Sequence, residues 1–107
     1  MTGTGIQTAL TVADLQLNLL SHTATRAGKP IQLQPREFKL LEHLMRHADK
    51  VGTRAMLLEN VREHHFDPQT NVIDVHVSRL RQKIDEGFDR PLLHTVRGIG
   101  YRLSADA

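Results

Sequence analysis

The side chains with the richest hydrogen-bonding chemistry lie in the stretch NVIDVHVSRLRQKI, residues 71–84. Amide, hydroxyl and guanidinium groups recur here at helical spacing, which places them on one face of a helix. That face would carry Asn71, Val75, Ser78, Arg79 and Gln82. In the major groove of B-DNA, Arg pairs with guanine, Asn and Gln pair with adenine, and apolar groups contact the thymine methyl. The pattern therefore indicates a helix that could read base edges.

Further polar groups border this face or follow it along the chain. The residues at its edges are His76, Ser78, Arg81 and Lys83. Side chains of these types could contact phosphates, which fix the register of a protein on DNA without reading its sequence. Arg97 lies in the glycine-rich segment RGIG, residues 97–100, from which a guanidinium could enter an adjacent minor groove.

The basic residues of this segment also have a simpler interpretation. Arg79, Arg81 and Lys83 fall in the second half of the helix, where positive charge complements the helix dipole on an ordinary solvated surface. The absence of a carboxylate from the centre of the face, together with Arg97, favours DNA binding over that interpretation.

The apolar residues of the same stretch decide between a strand and a helix. Its first half is rich in β-branched residues, which favour a strand. At about 100° per residue, however, one narrow helical arc holds Ile73, Val77, Leu80 and Ile84. Their burial, at roughly 1.5 to 3 kcal/mol each, exceeds the small propensity cost, so the sequence predicts a helix.

Short strands are predicted before the helices. Period-two alternation puts Leu15, Leu17 and Leu19 on one side of the chain and Gln16, Asn18 and Leu20 on the other. Turn residues at 26–30 separate the run 22–25 from the run 31–33, which predicts a hairpin in an antiparallel sheet. About four strands fit this region.

The period then changes to that of helices. A first helix is predicted from Pro35 to about Ala48, and a second from an N-cap at Thr53 to about Arg62. The segment 63–70 has no period and reads as a loop. After the third helix, residues 93–96 and 101–103 flank the RGIG turn as a hairpin. The predicted order is a sheet, three helices and a hairpin, an α+β arrangement.

Composition limits the class of protein. A chain of 107 residues fits one domain, and its formal net charge of +2 does not by itself indicate a polyanion partner. The chain has no cysteine, so disulfides and thiolate sites are excluded. It also has no apolar run long enough to cross a bilayer and no signal-peptide pattern, which predicts a cytoplasmic location and no membrane partner.

No enzymatic or cofactor chemistry is predicted. The GIG of residues 98–100 lacks the third glycine and helix of a nucleotide cradle, and no serine lies in a nucleophile elbow. Seven histidines raise the question of a metal site, but adjacent His64 and His65 point apart and no HExxH motif occurs. We therefore expect no metal, no cofactor and no catalysis.

Three motifs, in order and at appropriate spacing, resemble the winged-helix effector domain of OmpR/PhoB-family response regulators. They are PREFKLLEHLM at 35–45, NVIDVHVSRLRQKI at 71–84 and TVRGIGYRL at 95–103. The resemblance covers Leu10 to Leu103. It implies a winged helix-turn-helix of the α+β class, with an N-terminal four-stranded antiparallel sheet, three helices and a C-terminal β-hairpin wing.

The same resemblance implies the domain organisation. Residues 1–9 would be a flexible tail or linker remnant, and residues 10–104 the DNA-binding domain. The receiver domain that family members carry on the amino side is not in the sequence, which favours an excised domain over a stand-alone protein.

The resemblance also implies a site and its partners. The recognition helix, residues 71–85, would occupy the major groove, Arg97 would enter the minor groove and Tyr101 would pack the wing against the body. The implied DNA contacts are Asn71, Val75, His76, Ser78, Arg79, Arg81, Gln82, Lys83, Thr95 and Arg97. In some members, the loop corresponding to residues 62–70 touches RNA polymerase, and here it offers His64, His65 and Asp67.

The expected partner is double-stranded DNA. Two copies of the domain would bind direct repeats once their receiver domains pair. In the full-length protein, a receiver domain and a sensor histidine kinase would complete a two-component system that controls transcription.

Three positions depart from the family pattern. Gln34 replaces the usual Thr or Ser before the first helix and predicts a weaker N-cap. Arg62 replaces a Trp, and Ser78 replaces a frequent Arg, which would remove one phosphate contact. Two rivals remain open: a protein-interaction module that uses the third helix and the loop, and a metal sensor built from His43, His47, His64 and His65.

Overall fold

The computed structural model describes residues 8–61, 70–88 and 90–105. The chain begins with a four-stranded antiparallel meander in the order β1-β2-β3-β4. Its strands are β1 (Ala9–Val12), β2 (Leu15–Asn18), β3 (Thr23–Arg26) and β4 (Lys29–Ile31). The predicted N-terminal sheet is confirmed, and β1 begins one residue before the predicted start of the domain.

One face of this sheet is apolar and covers the helices. Leu10, Leu15 and Leu17 are buried, whereas Gln16 and Asn18 point to solvent. This alternation is what a sheet with one buried face requires, because successive side chains point to opposite faces.

The hairpin between β3 and β4 is tighter than predicted. Arg26 pairs with Lys29, and Pro30 lies within β4, so the turn is Ala27-Gly28 rather than residues 26–30. Both turn residues have positive φ, +54° and +81°, as a two-residue turn of type I′ needs. Pro30 is tolerated because β4 is an edge strand, where a missing N–H removes no ladder bond.

Three helices follow in the described residues: α1 (Pro35–Arg46), α2 (Arg54–Val61) and α3 (Thr70–Ile84). The prediction of a helix for the third segment is confirmed. At the start of α1, the Gln34 N–H donates to Oε1 of Glu37 at 2.8 Å, so Glu37 supplies a capping bond there. The predicted N-cap of α2 is confirmed, because Thr53 Oγ1 accepts from the Met56 N–H at 3.2 Å.

A second antiparallel sheet closes the domain, in the order β5-β7-β6. Its strands are β5 (Gly52–Thr53), β6 (Leu93–Val96) and β7 (Gly100–Leu103). The two-residue β5 was not predicted. Gly100 belongs to β7 and not to the turn, because it pairs with Val96 and Thr53. A Cβ there would lie 1.9 Å from the Gly52 carbonyl oxygen, so this strand position requires glycine. The hairpin loop is therefore Arg97–Ile99, with Gly98 at φ +76°.

The core lies where the three helices meet the two sheets. The four apolar residues of the α3 arc are each at most 1% exposed, and they join buried leucines from α1 and β2 in one cluster.

No helix among the described residues is long and apolar enough to cross a membrane.

A buried arginine ties the first sheet to the carboxyl end of α3. The Arg26 side chain is 1% exposed and donates from Nε to Asp14 at 2.5 Å and from Nη1 to Asp85 at 3.0 Å. Its guanidinium also donates to the carbonyl oxygens of Ile84 and Arg90 and lies 4.9 Å from the centre of the Phe88 ring. Four acceptors and an aromatic ring therefore meet one buried cation.

Replacing Arg26 with Ala should lower the free energy of unfolding by about 3 kcal/mol, because Asp85 and two carbonyl groups lose their buried partner. Urea denaturation measures the change. Arg46→Ala, which removes the exposed pair with Glu42 on α1, is the control and should cost about 0.5 kcal/mol. Equal losses in the two variants would show that Arg26 is not a structural centre.

Candidate nucleic-acid interface

The outer face of α3 is exposed over the part of the helix whose side chains the structure describes. Ser78, Arg79 and Gln82 are exposed, and Val75 is 47% exposed. Arg79 makes no hydrogen bond or ion pair with any residue that the structure describes. The face has no carboxylate among its described side chains, so a polyanion could approach it without repulsion. Asn71 lies in the first turn of α3, and its side chain is outside the described residues.

Residues at the border of this face are engaged within the protein. Arg81 Nη2 donates to Thr95 Oγ1 at 2.8 Å, which links the helix to the hairpin. Lys83 Nζ contacts Glu37 Oε1 at 2.5 Å, in an ion pair with a carboxylate that is 2% exposed. Both Arg81 and Lys83 are half-buried, so each has a structural role beside any contact with DNA.

His76 does not lie where the sequence predicted. It is 8% exposed, and neither ring nitrogen has a hydrogen-bond partner among the described residues. Its place on an exposed flank is therefore a wrong prediction. The ring lies near Arg36 and Glu37 of α1 and near Arg79 of α3, since the charges of these groups act on its titration.

The environment of His76 favours the neutral imidazole. Burial lowers its pKa below the ordinary value, and the positive charges of Arg36 and Arg79 lower it further, while Glu37 opposes them. An imidazole removed from water and flanked by cations resists protonation.

The hairpin of β6 and β7 stands beside α3 with Arg97 exposed in its loop. Thr95 is exposed on β6, where its hydroxyl accepts the hydrogen bond from Arg81. Ile99, next to Arg97, is 52% exposed. The hairpin that carries the Arg97 loop is therefore linked to α3 through Thr95.

A network around Asp74 joins the hairpin to two helices, and sequence reasoning missed it. Asp74 Oδ1 accepts from Arg54 Nε at 2.9 Å and from the Tyr101 hydroxyl at 2.5 Å. The bond from Tyr101 lowers the pKa of the Asp74 carboxyl, and Arg54 lowers it further against the effect of burial. Burial and the carboxylate of Asp74 raise the pKa of Tyr101. The Arg54 side chain is 37% exposed.

The sequence matches the family described as "Transcriptional regulatory protein, C terminal" over residues 28–103. The chain belongs to this family. Its class is the winged-helix DNA-binding domain of OmpR/PhoB response regulators, which are transcription regulators and not enzymes.

Relatives and solved structures agree with this assignment. The transcriptional regulatory protein CusR of Escherichia coli is 46% identical over 98 residues, which cover 92% of this chain and 43% of CusR. The response regulator DrrB of Thermotoga maritima, described as an OmpR/PhoB homologue, has a TM-score of 0.79 at 33% identity, covering 92% of this chain and 45% of DrrB. This winged-helix domain spans less than half the length of those two proteins.

A further solved structure contains DNA. It is the RstA DNA-binding domain of Klebsiella pneumoniae in complex with the RstA box, with a TM-score of 0.78 at 27% identity. The match covers 92% of this chain and 99% of the RstA domain.

Two predicted groups lie outside the described residues. The first is the set of candidate polymerase-contact residues, His64, His65 and Asp67. The second is the pair His64 and His65 as members of the rival metal sensor. Within the described part of the winged-helix domain, no group of three or more His, Asp or Glu side chains is arranged to hold a metal ion. The ring of His43, on α1, lies 4.4 Å from the ring of His47, the C-cap residue of that helix, centre to centre.

The buried His76 predicts a specific loss of stability in acid. The pKa of His76 is lower in the folded protein than in the unfolded chain, so the unfolded chain binds the proton more readily as the pH falls. The contribution of His76 to the free energy of unfolding is therefore complete above about pH 6.5 and is lost below it. The stability of the wild type relative to His76→Leu should therefore decrease from pH 7.5 to pH 5. Chemical denaturation at each pH measures it.

The exposed His22 provides the comparison: His22→Asn removes an imidazole that stacks on the Phe38 ring of α1, and asparagine tolerates the φ of +55° at this position. A difference between wild type and His76→Leu that stays constant over this pH range would contradict the account of His76.

Proposed function

We propose that this domain binds double-stranded DNA in a sequence-specific manner, with α3 in the major groove and Arg97 in the adjacent minor groove. The observation that carries the proposal is the exposed face of α3, whose described side chains are polar, basic or apolar but not acidic. An α-helix fits the major groove, and these side-chain types match the edges of the base pairs there.

Exposure suggests how the roles divide among the residues. Arg79, which has no partner among the described residues, is assigned to a guanine, and Gln82 and Val75 to an adenine and a thymine methyl. Ser78 is assigned to a phosphate. Internal bonds already engage Arg81, Lys83 and Thr95, so these residues would contact the DNA backbone from the positions that those bonds hold. His76 is buried and would need to become exposed before it could contact DNA.

The wing supplies the second contact of the proposal. Arg97 is exposed in a loop of three residues beside α3, where Gly98 permits the tight turn. A guanidinium on a narrow hairpin suits the negative potential of a narrow minor groove. The DNA complex of the RstA domain supports the use of this fold on duplex DNA.

At the level of the whole regulator, we propose that the domain is the transcription-controlling output of a cytoplasmic two-component response regulator. Its domain would span residues 10–104, after a tail of residues 1–9. Two copies would bind direct repeats when phosphorylation by a sensor histidine kinase pairs their receiver domains. Contact with RNA polymerase through His64, His65 and Asp67 remains a prediction from the resemblance.

The assignment of Arg79 gives a sharp test. Selection from a random duplex library should enrich a short motif for the wild type, and Arg79→Ala should lose preference at one base pair of it, at a cost of about 1 to 3 kcal/mol. Titration of the enriched site at two salt concentrations should show a steep fall in affinity with salt.

The control is Lys29→Ala, which removes one positive charge from the edge strand β4 and should leave the enriched motif unchanged. If the wild type enriches no sequence and its binding depends little on salt, the protein-interaction rival replaces the DNA-binding proposal. If Arg79→Ala weakens all sequences equally, Arg79 is a phosphate contact.

A further inference from the structure

The hairpin is held near its base independently of Asp74. The Asp85 carboxylate, just after α3, accepts from the backbone N–H groups of Leu92 and Leu93 at 2.9 and 3.0 Å. At the same end, Ser104 Oγ donates to Asp49 Oδ1 at 2.5 Å. These contacts fix where the hairpin leaves the body but lie at the end away from the Arg97 loop.

Closer to the loop, side chains connect the hairpin to the helices. Tyr101 of β7 donates its hydroxyl proton to Asp74 of α3, which also accepts from Arg54 at the start of α2. Backbone pairing adds little at this level, because β5 meets β7 through only two residue pairs, Gly52 with Tyr101 and Thr53 with Gly100.

A second link runs from α3 to the other strand. Arg81 donates to Thr95 of β6, and its guanidinium carbon lies 6.0 Å from the centre of the Tyr101 ring. The guanidinium carbon of Arg54 lies 5.6 Å from the same ring centre. Both arginines are within the distance of cation–π attraction, so the Tyr101 ring is held by its charged neighbours as well as by its hydroxyl.

We propose that Arg54, Asp74 and Tyr101 form a brace that positions the wing and thereby selects which minor-groove step Arg97 reaches when Arg79 occupies the major groove. The brace residues are positioning residues for DNA selectivity, acting through Arg97. The inference rests on the proposed function, because it assumes that both arginines contact one duplex.

The brace acts by holding the wing in place before DNA binds. Two contacts on separate elements reinforce each other only if their separation is fixed before binding, because otherwise ordering the wing consumes part of the affinity that Arg97 supplies. Asp74 lies on the same helix as Arg79. Tyr101 is the second residue of β7, two positions after the last residue of the Arg97 loop. The brace therefore links the helix that carries Arg79 to the strand that follows the Arg97 loop.

A double-mutant cycle tests the brace, with Tyr101→Phe, Arg97→Ala and the double variant titrated against the site enriched by the wild type. Tyr101→Phe keeps the ring and removes only the hydroxyl bond to Asp74. Arg97→Ala should weaken binding about tenfold in the wild-type background and about threefold or less in the Tyr101→Phe background. Library selection with Tyr101→Phe should lose preference at the minor-groove step and keep it at the step read by Arg79.

Ser104→Ala is the matched control, because it removes a hydroxyl-to-carboxylate bond of the same 2.5 Å length at the other end of the hairpin. It should leave the effect of Arg97→Ala at about tenfold. Asp74→Leu, which is close in shape and removes the acceptor oxygen, should behave like Tyr101→Phe. Additive effects of Tyr101→Phe and Arg97→Ala, with an unchanged motif, would overturn the brace.

A measurement without DNA separates the brace from the proposed function. Residual dipolar couplings of the backbone amides report the orientation of β6 and β7 relative to α3. Tyr101→Phe should change that orientation or its spread, whereas Ser104→Ala should not. An unchanged orientation overturns the brace, while failure of the wild type to bind any duplex overturns the proposed function and leaves this result standing.

Discussion

Burial of one apolar stripe on α3 sets the orientation of every α3 side chain in the site. The stripe consists of Ile73, Val77, Leu80 and Ile84. Each is at most 1% exposed, and burying side chains of this size stabilises the fold by roughly 1.5 to 3 kcal/mol apiece. Rotating α3 by a quarter turn would expose part of this stripe, which costs more than a single base contact returns. The outward direction of Arg79 is therefore fixed before any DNA arrives.

Polar contacts at the ends of the stripe hold the neighbouring elements to α3. At its carboxyl end, Arg26 joins the N-terminal sheet to the last turn of the helix. Along its side, Lys83 pairs with the buried Glu37, and Asp74 bonds the wing and α2. Because the side chains of Arg26 and Glu37 are 1% and 2% exposed, the loss of a partner leaves each of these two charges unsatisfied. The same helix thus carries the core, the joints between elements and the exposed surface.

The sequence predicted the elements that have a clear period and failed where tertiary contacts decide. The apolar spacing of α3, the alternation in β2 and the Thr53 cap are local patterns, and all are confirmed. His76 lies only about 40° from Leu80 around the helix, at the edge of the buried arc, so its burial depends on what α1 places there. The ion pair of Lys83 with Glu37 spans 46 residues, and no local pattern indicates such a contact.

Chemical-shift mapping by NMR tests the central claim, that the α3 face and the wing form one DNA-reading surface. A duplex carrying the enriched site is titrated into the isotopically labelled domain. The account predicts the largest changes at Ser78, Arg79 and Gln82 and at Arg97, with small changes on the exposed face of the N-terminal sheet. Large changes on that sheet, with α3 and the wing unaffected, would contradict it.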